Sequence, residues 1–459
     1  MMMQPLVDPR RIRRYNGTIH QSGPVLYWMH REFRAQDNWG LLHARDEALR
    51  MQVPLAVVFC LAPSFLGATL RQFDFLLRGL TATAPLLEHA GMPLILRSGD
   101  PAREMVRLCQ ELQPALVVTD FDPLRIKRQW LQSLLQQQPA SVHEVDSRNI
   151  IPAWVASPRR EFMARTIRPK IHRLLPEMLT PFPELPPHPY PWPTRPPSLD
   201  FADLHAALRV DGSVGPVDWL QPGEAAAHDM LATFLDHRLD SYDKRNDPNQ
   251  EVCSDLSPYL HFGMISAQAM VLEIKRRGLY GEKIDSFVEE LVVRRELSDN
   301  FCLYTADYDQ VSGFPQWAQQ TLDKHRNDPR TYLYSLEQFA GAATHEPLWN
   351  AAQQQLVSRG AMHGYMRMYW AKKILEWTPN AAEALRIAIY LNDRYALDGR
   401  ESNGYTGIAW SLGGVHDRGW PERPIFGTIR YMNEAGARRK FDVPRYIRTW
   451  LGTQPSLFA

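Results

Sequence analysis

The sequence predicts an α/β domain built on a parallel sheet, followed by a mostly α-helical domain, and three observations carry that prediction. Short apolar runs at 24–30, 55–61, 93–96 and 115–119 alternate with helix-patterned segments such as 69–80 and 102–112, the rhythm of strands joined by helical crossovers. Between Leu175 and Ser198 the chain is crowded with proline, as PFPELPPHPYPWPTRPP. Beyond Pro216 strand alternation stops and helical periodicity takes over, at 224–239, 266–277, 284–304, 315–325, 335–339, 347–359, 362–377 and 380–391.

A chain of 459 residues exceeds one small core, so the pattern divides it into an α/β domain at 1–175, a linker at 176–215 and a helical domain at 216–459. The proline-rich stretch is expected to continue neither a helix nor a central strand and to lie extended along the surface. Net charge is +1, so a nucleic-acid partner has to be held by a local basic patch rather than by bulk charge. Cys60, Cys109, Cys253 and Cys302 are scattered without C-x-x-C or Cys/His spacing; reduced thiols are expected, with no metal site and no disulfide framework. Arg10, Arg11, Arg13 and Arg14 precede no apolar run, so no signal peptide is read there, and no segment approaches the roughly 20 apolar residues of a membrane helix. A cytoplasmic monomer without an obligate protein partner is expected.

In the first domain, Ser98-Gly99-Asp100 and Asp120-Phe121-Asp122 follow strands where parallel sheets usually bind ligands. No G-x-G-x-x-G or Walker pattern is present, so dinucleotide or ATP binding by the usual motif is not supported.

The stretch 362–420 is the most informative. Its first half is a helix by periodicity, with Met366, Trp370, Ile374 and Trp377 on one side and Lys372 and Lys373 on the other. Its second half reads as loop, because Asp398, Gly399, Asn403 and Gly404 are turn formers. Arg367 falls one turn before Trp370 and needs an anionic partner, for which Asp393 and Asp398 are the nearest downstream carboxylates. Asn392 adds an amide able to donate and accept. Trp370 and Trp377 are two turns apart, roughly 10 Å along a helix axis, a workable distance for electron hopping.

Two further sites stand out. Ser257 is read as an N-cap with Pro258 at the first helical position, and helix N-termini bind phosphate. The run 287–296 (FVEELVVRRE) places paired carboxylates and paired arginines on one helix, which by itself reads as an ion-pair ladder.

RMYWAKKILEW, LNDRYALDGR, NGYTGIAWS and GGVHDRGW resemble, almost residue by residue, the flavin-domain core of class II cyclobutane-pyrimidine-dimer photolyases, and the resemblance extends over nearly the whole chain. It implies a Rossmann-like N-terminal α/β domain, which in some members carries a light-harvesting antenna chromophore, and a helical FAD-binding domain. Whether this chain carries the antenna the residues leave open. The resemblance further implies FAD, active in its anionic reduced form, and DNA containing cyclobutane dimers as substrate.

By the same resemblance, SDLSPYLHFGMIS holds the FAD pyrophosphate through Ser254, Leu256 and Ser257, and Tyr242, Asn300, Gly399 and Asn403 also contact the cofactor. Arg367 with counter-ion Asp398 stabilises the anionic flavin, and Asn392 faces flavin N5. Glu290 hydrogen-bonds the dimer's base edges. Trp370, Trp349 and Trp377 form the photoreduction chain, proximal to distal. Photolyases of another class carry Trp-Arg-Glu where this chain has Arg294-Arg295-Glu296, so the aromatic platform under the lesion is assigned to Trp410, with Met368 beside the substrate. Arg418, Trp420 and Arg430, the last in a strand-like segment, are expected to form a protruding element that fills the gap left in duplex DNA, with Arg245 on the backbone. The alternatives are a cryptochrome-like photoreceptor without repair activity and an unrelated α/β oxidoreductase.

Overall fold

The computed structural model describes residues 6–15, 17, 23–138, 140–192 and 198–452. Six strands, β1 (Ile12–Tyr15), β2 (Val25–Trp28), β3 (Leu55–Leu61), β4 (Leu94–Ser98), β5 (Leu116–Asp120) and β6 (Ser141–Val145), form one sheet in the order β1-β6-β5-β2-β3-β4. All neighbours are parallel except β1, which runs antiparallel along β6. The strands expected from apolar runs are β2 to β5. β1 and β6 escape that criterion because IRRY and SVHEV carry charges at an edge and beside it. Strand order reverses between β2 and β5, which leaves a crevice at their carboxyl ends.

The proline-rich stretch departs from expectation at its start. The helix Ala164–Met178 runs through Pro176 and ends inside the region read as linker. The chain from there to Ser198 returns over the α/β domain: His188 N donates to Ala90 O (2.8 Å) and Trp192 Nε1 to Leu55 O (3.0 Å). Leu199 N then donates to Leu96 O (2.9 Å) and Ser198 Oγ accepts from Leu96 N (2.8 Å), covering the edge of β4. An uncovered edge strand invites pairing with another chain, and this segment occupies it. Residues 193–197 of the proline run lie outside the described residues.

The second half is helical as expected, with two corrections. The segment after Asn403 is a helix, Ser402–Gly413. Two of its glycines permit close packing rather than turns: a Cβ on Gly413 would lie 2.2 Å from the Phe314 ring, and one on Gly404 3.0 Å from Asn392 Nδ2. The helix Gly364–Glu376 has no solvated side at its lysines, since Lys372 and Lys373 are buried. Lys372 Nζ donates to Ser411 O (2.7 Å), and Lys373 pairs with Glu376 (2.9 Å) and Glu346 (3.4 Å).

The cores ignore the expected domain boundary. One face of the sheet, through Val57 and Phe59, and Leu77 of the helix Leu70–His89 share a single core with Leu231, Phe234 and Phe287 of the helical half, while residues from Phe301 to Tyr446 contribute to a second. Arg148 reinforces the junction, bonding Asp299 (2.7 Å) and Glu401 (3.3 Å), and Arg31 also reaches Glu401 (3.0 Å).

Candidate functional site

Asn392 lies near the end of the helix Ala381–Tyr395, and the chain then turns back beneath it. Two glycines permit that return: a Cβ on Gly399 would lie 2.9 Å from Asn392 O, and Gly404 supports the amide from the other side. Asn392 Nδ2 donates to Asp393 Oδ1 (3.1 Å), while no hydrogen bond among the described residues uses its Oδ1.

The two carboxylates near Arg367 have separate tasks. Asp398 takes Arg367, with Nη2 to Oδ1 at 3.4 Å. Asp393 instead accepts from Arg400 N (2.9 Å) and Tyr405 OH (3.0 Å) and holds the turn together. Burial pushes the Asp393 carboxyl up, with Arg400 opposing. Arg367 is half-buried rather than enclosed, its side chain 25% exposed. It therefore presents a guanidinium to a recess with one carboxylate already in place, a donor set that fits an anionic ring system beside an amide.

Ser254 and Ser257 divide differently from expectation. Leu256 is already in the right-handed helical region (φ −90°, ψ −7°), so Ser257 is the first helical residue of the short helix Ser257–His261 and not its cap. Ser254 Oγ accepts instead from Leu256 N (3.4 Å). Asp255 between them adopts φ +57° and receives Arg238 (2.8 Å) and Arg359 (3.2 Å). The hydroxyl of Ser257 stays exposed, as does Asn403. Asn300 lies apart from this set: its Nδ2 donates to Arg159 O (3.0 Å) and its Oδ1 accepts from Glu161 N (2.7 Å), which uses the amide to fasten the 159–161 segment.

Glu290 lies on a π-helical turn, Glu289–Arg294, inserted between the helices Glu282–Val288 and Arg295–Tyr304. The expected regular ladder is thereby broken: Glu289 pairs with Arg168 (2.6 Å), while Arg295 and Glu296 turn inward. Such insertions re-aim side chains and recur at functional sites. Glu290 is left without a direct ion pair, exposed to a recess whose walls still push its carboxyl up, with Arg294 and Arg245 opposing. Tyr242 packs edge-on against Phe287 (5.6 Å) under the Arg245 guanidinium (4.9 Å).

A ring of charged groups surrounds this recess. Burial lowers His363 while the Arg245 backbone opposes it, and burial raises Tyr365 while Arg430 opposes it. Burial lowers His416 to about 3, assisted by Arg160 and Arg294. Arg245 and Arg294 thus both act on Glu290, Arg294 acts also on His416, and Arg430 acts on Tyr365. Trp420 lies between Arg418 (5.4 Å) and Arg430 (4.9 Å), and Arg430 also reaches over Trp410 (6.0 Å). The segment 417–430 folds back on itself without the expected strand at Arg430: Trp420 N donates to Thr428 O (2.8 Å) and the turn closes on one bridge, Arg423 to Gly427. Too few ladder bonds form for a strand. Trp410 and Met368 are half-buried. Lys372, which periodicity places on the side opposite the tryptophans, lies beneath Trp410 (5.8 Å), and burial lowers it to about 7 with Asp417 opposing.

The three tryptophans come together, with Trp349 in the middle: it stacks on Trp370 (6.4 Å, 6°) and meets Trp377 edge-on (6.1 Å, 67°). All three are at most 2% exposed.

The crevice between β2 and β5 is a second recess, of about 90 Å³. Phe33, Phe59, Phe65 and Trp130 line it together with Arg31, Lys127 and Asp122. Of the two expected ligand loops, 120–122 reaches it. Asp120 accepts the N–H groups of His30, Arg31 and Glu32, and burial lowers Lys127 to about 8 with Asp122 opposing. Ser98-Gly99-Asp100 does not reach it and instead caps the helix Pro101–Leu112. His30 Nδ1, Arg31 Nε and Arg400 Nη2, all from residues lining the crevice, are buried without a hydrogen-bond partner, although Arg31 Nε keeps Asp122 at ion-pair distance (3.8 Å). Elsewhere, His43, Glu47 and His143 converge, but His43 Nε2 and His143 Nδ1 hydrogen-bond at 2.9 Å and Glu47 pairs with Arg50, so this cluster is already satisfied.

Comparison with known proteins places the chain in a family. A family profile described as DNA photolyase matches residues 25–188. The deoxyribodipyrimidine photo-lyase of Potorous tridactylus is 49% identical over 448 residues, covering 96% of this chain and 84% of that protein. That of Oryza sativa is 48% identical, covering 93% and 87%. Among solved structures, the archaeal photolyase of Sulfolobus tokodaii with two FAD molecules superposes with a TM-score of 0.72 at 16% identity, covering 93% of this chain and 90% of that one; it shares the fold. No described helix is long and apolar enough to cross a membrane.

Proposed function

This chain belongs to the deoxyribodipyrimidine photolyases of class II type, and from that membership we propose how its residues are used. The activity is light-driven repair of cyclobutane pyrimidine dimers in DNA on an FAD-binding photolyase fold. Bound FAD supplies light absorption and the one-electron donation that opens the cyclobutane ring.

The observation that carries the residue assignment is the separation of Asp398 from Asp393. Arg367, held by Asp398 alone, offers positive charge to an anionic reduced flavin, while Asp393 is occupied in fixing Asn392. The free Oδ1 of Asn392 is the group that meets flavin N5. Ser254, Ser257 and Asn403 hold the polar end of the cofactor, with Leu256 and Tyr242 packing beside it, and Gly399 serves by positioning Asn392.

Glu290 accepts from the base edges of the dimer, since its carboxyl carries no competing ion pair. Trp410 and Met368 form the apolar platform. The rim of Arg245, Arg418, Trp420 and Arg430 holds damaged DNA, with the lesion turned out of the stack and the gap behind it filled by the 417–430 element. Trp370, Trp349 and Trp377 carry electrons inward when the cofactor arrives oxidised. A second, light-harvesting chromophore would be held in the crevice between β2 and β5, where aromatic walls and the unbonded buried donors of His30 and Arg400 suit an anionic ring system.

The test is repair of a dimer-containing oligonucleotide under blue light, with the cofactor identified after denaturation. Release of FAD and restored thymines are expected. FMN in its place, or FAD bound without repair as in a cryptochrome-like photoreceptor, overturns the reading.

A further inference from the structure

Trp377, the outermost of the three tryptophans, is 2% exposed. Only a narrow edge of an oxidised indole there would face water, so a soluble donor has little access to refill it. Beyond it the aromatic chain continues. Tyr334 meets Trp377 edge-on at 5.7 Å, and His345 does so at 5.0 Å. Tyr334 OH and His345 Nδ1 are 2.7 Å apart, and Tyr334 N is itself fixed by Trp377 O (3.1 Å). Tyr332, 43% exposed, stacks on His345 at 3.6 Å and on Tyr334 at 6.3 Å. His345 N donates to Tyr334 OH (2.9 Å), so phenol and imidazole are held in register.

We propose that Tyr334 and His345 form a proton-coupled terminal relay, in which Tyr334 refills oxidised Trp377 and His345 takes the phenolic proton. The inference rests on the electron-supply reading of the three tryptophans. One electron passes from Tyr334 to the oxidised Trp377, restoring the neutral indole. The phenolic proton moves to His345 Nδ1, leaving a neutral tyrosyl radical and an imidazolium. His345 is exposed and releases a proton to water. A soluble thiol then gives one electron and one proton to the Tyr334 radical, restoring the phenol and leaving a thiyl radical, two of which combine to a disulfide.

The charges facing this pair favour the outward shift. Lys373 Nζ lies 5.2 Å over the Trp377 ring and disfavours positive charge held there, partly offset by Glu376 and Glu346. Desolvation lowers His345, Lys373 lowers it further and Glu376 opposes, so at neutral pH the imidazole is free to accept a proton.

The experiment uses two oxidants on the full chain. The holoenzyme is excited at the flavin, and the flavin-free protein is oxidised by a ruthenium polypyridyl flash-quench. Both should give a tyrosyl spectrum by transient absorption and electron paramagnetic resonance, formed more slowly in D₂O. Tyr334→Phe keeps the ring and should lose that spectrum, leaving a tryptophan radical. His345→Gln should slow tyrosyl formation and abolish its fall at low pH, where a protonated His345 no longer accepts. A wild-type protein that shows tryptophan radical alone under both oxidants overturns the relay, as does an unchanged pH profile in His345→Gln. A tyrosyl signal under flash-quench without flavin photoreduction keeps the relay and rejects the tryptophan route from the flavin.

Discussion

Trp349 and Trp370 lie with ring planes 6° apart and centroids 6.4 Å apart, and the indole N–H of Trp349 donates to the backbone carbonyl of Trp370 (3.0 Å). The bond ties one helix to the next and fixes the stack. Trp370 is held in turn through its own N–H by Gln353 Oε1 (2.9 Å). Trp349 therefore links two rings that share a helix, and its loss should interrupt the path.

Trp349→Phe is expected to abolish photoreduction of the oxidised cofactor while repair by chemically reduced enzyme continues. Loss of the bond and of part of the buried ring should also cost roughly 1–3 kcal/mol of stability. Photoreduction kinetics and a denaturant titration measure the two effects. Loss of repair by the chemically reduced protein would mark Trp349 as a packing residue.

Asn392→Leu removes both hydrogen-bonding functions at similar volume. The reduced cofactor should be less stabilised and its midpoint potential should fall, by about 30 mV or more for a two-electron couple if one hydrogen bond of about 1.4 kcal/mol is lost. Spectroelectrochemistry reads the shift. A wild-type potential would leave Asn392 only the task of bonding Asp393.

Arg418→Ala, Trp420→Ala and Arg430→Ala are compared on damaged duplex and damaged single strand. The two guanidinium–indole contacts are each worth about 0.5–2 kcal/mol, so Trp420→Ala should loosen both arginines at once. Weaker binding on duplex alone supports filling of the gap, because a single strand leaves no partner bases behind. Equal weakening on both reduces these residues to backbone contacts.

Glu296 gives a pH dependence of stability. Burial pushes its carboxyl up to about 8 from 4.5, with the Ile151 N–H opposing and Asp146 reinforcing. A folded-state value above the unfolded one means that its contribution is complete below pH 4.5 and is lost as pH rises towards 8. Glu296→Gln keeps an acceptor for the N–H groups of Ile150 and Ile151 and cannot ionise. It should flatten that slope and gain on the order of 1–3 kcal/mol at about pH 9, read from urea midpoints across the range.

The order of apolar periods by itself determined the two-part architecture, the four strands β2 to β5 and most helices of the second half, because burial of a strand or a helix face is written locally every two or three to four residues. The spacing of Trp370 and Trp377 and the need of Arg367 for a carboxylate were legible in the same way. Which carboxylate, and what lies between the tryptophans, were not written in local spacing; only the resemblance to class II photolyases named Asp398 and Trp349. Asp398 rather than Asp393, Trp349 as the middle ring, the buried lysines 372 and 373, and the helix Ser402–Gly413 with its packing glycines all depend on segments far apart in sequence approaching within a few ångströms. So does the partnership of Tyr334 with His345. A local period records that a side chain is buried; only the assembled fold decides which neighbour it meets there.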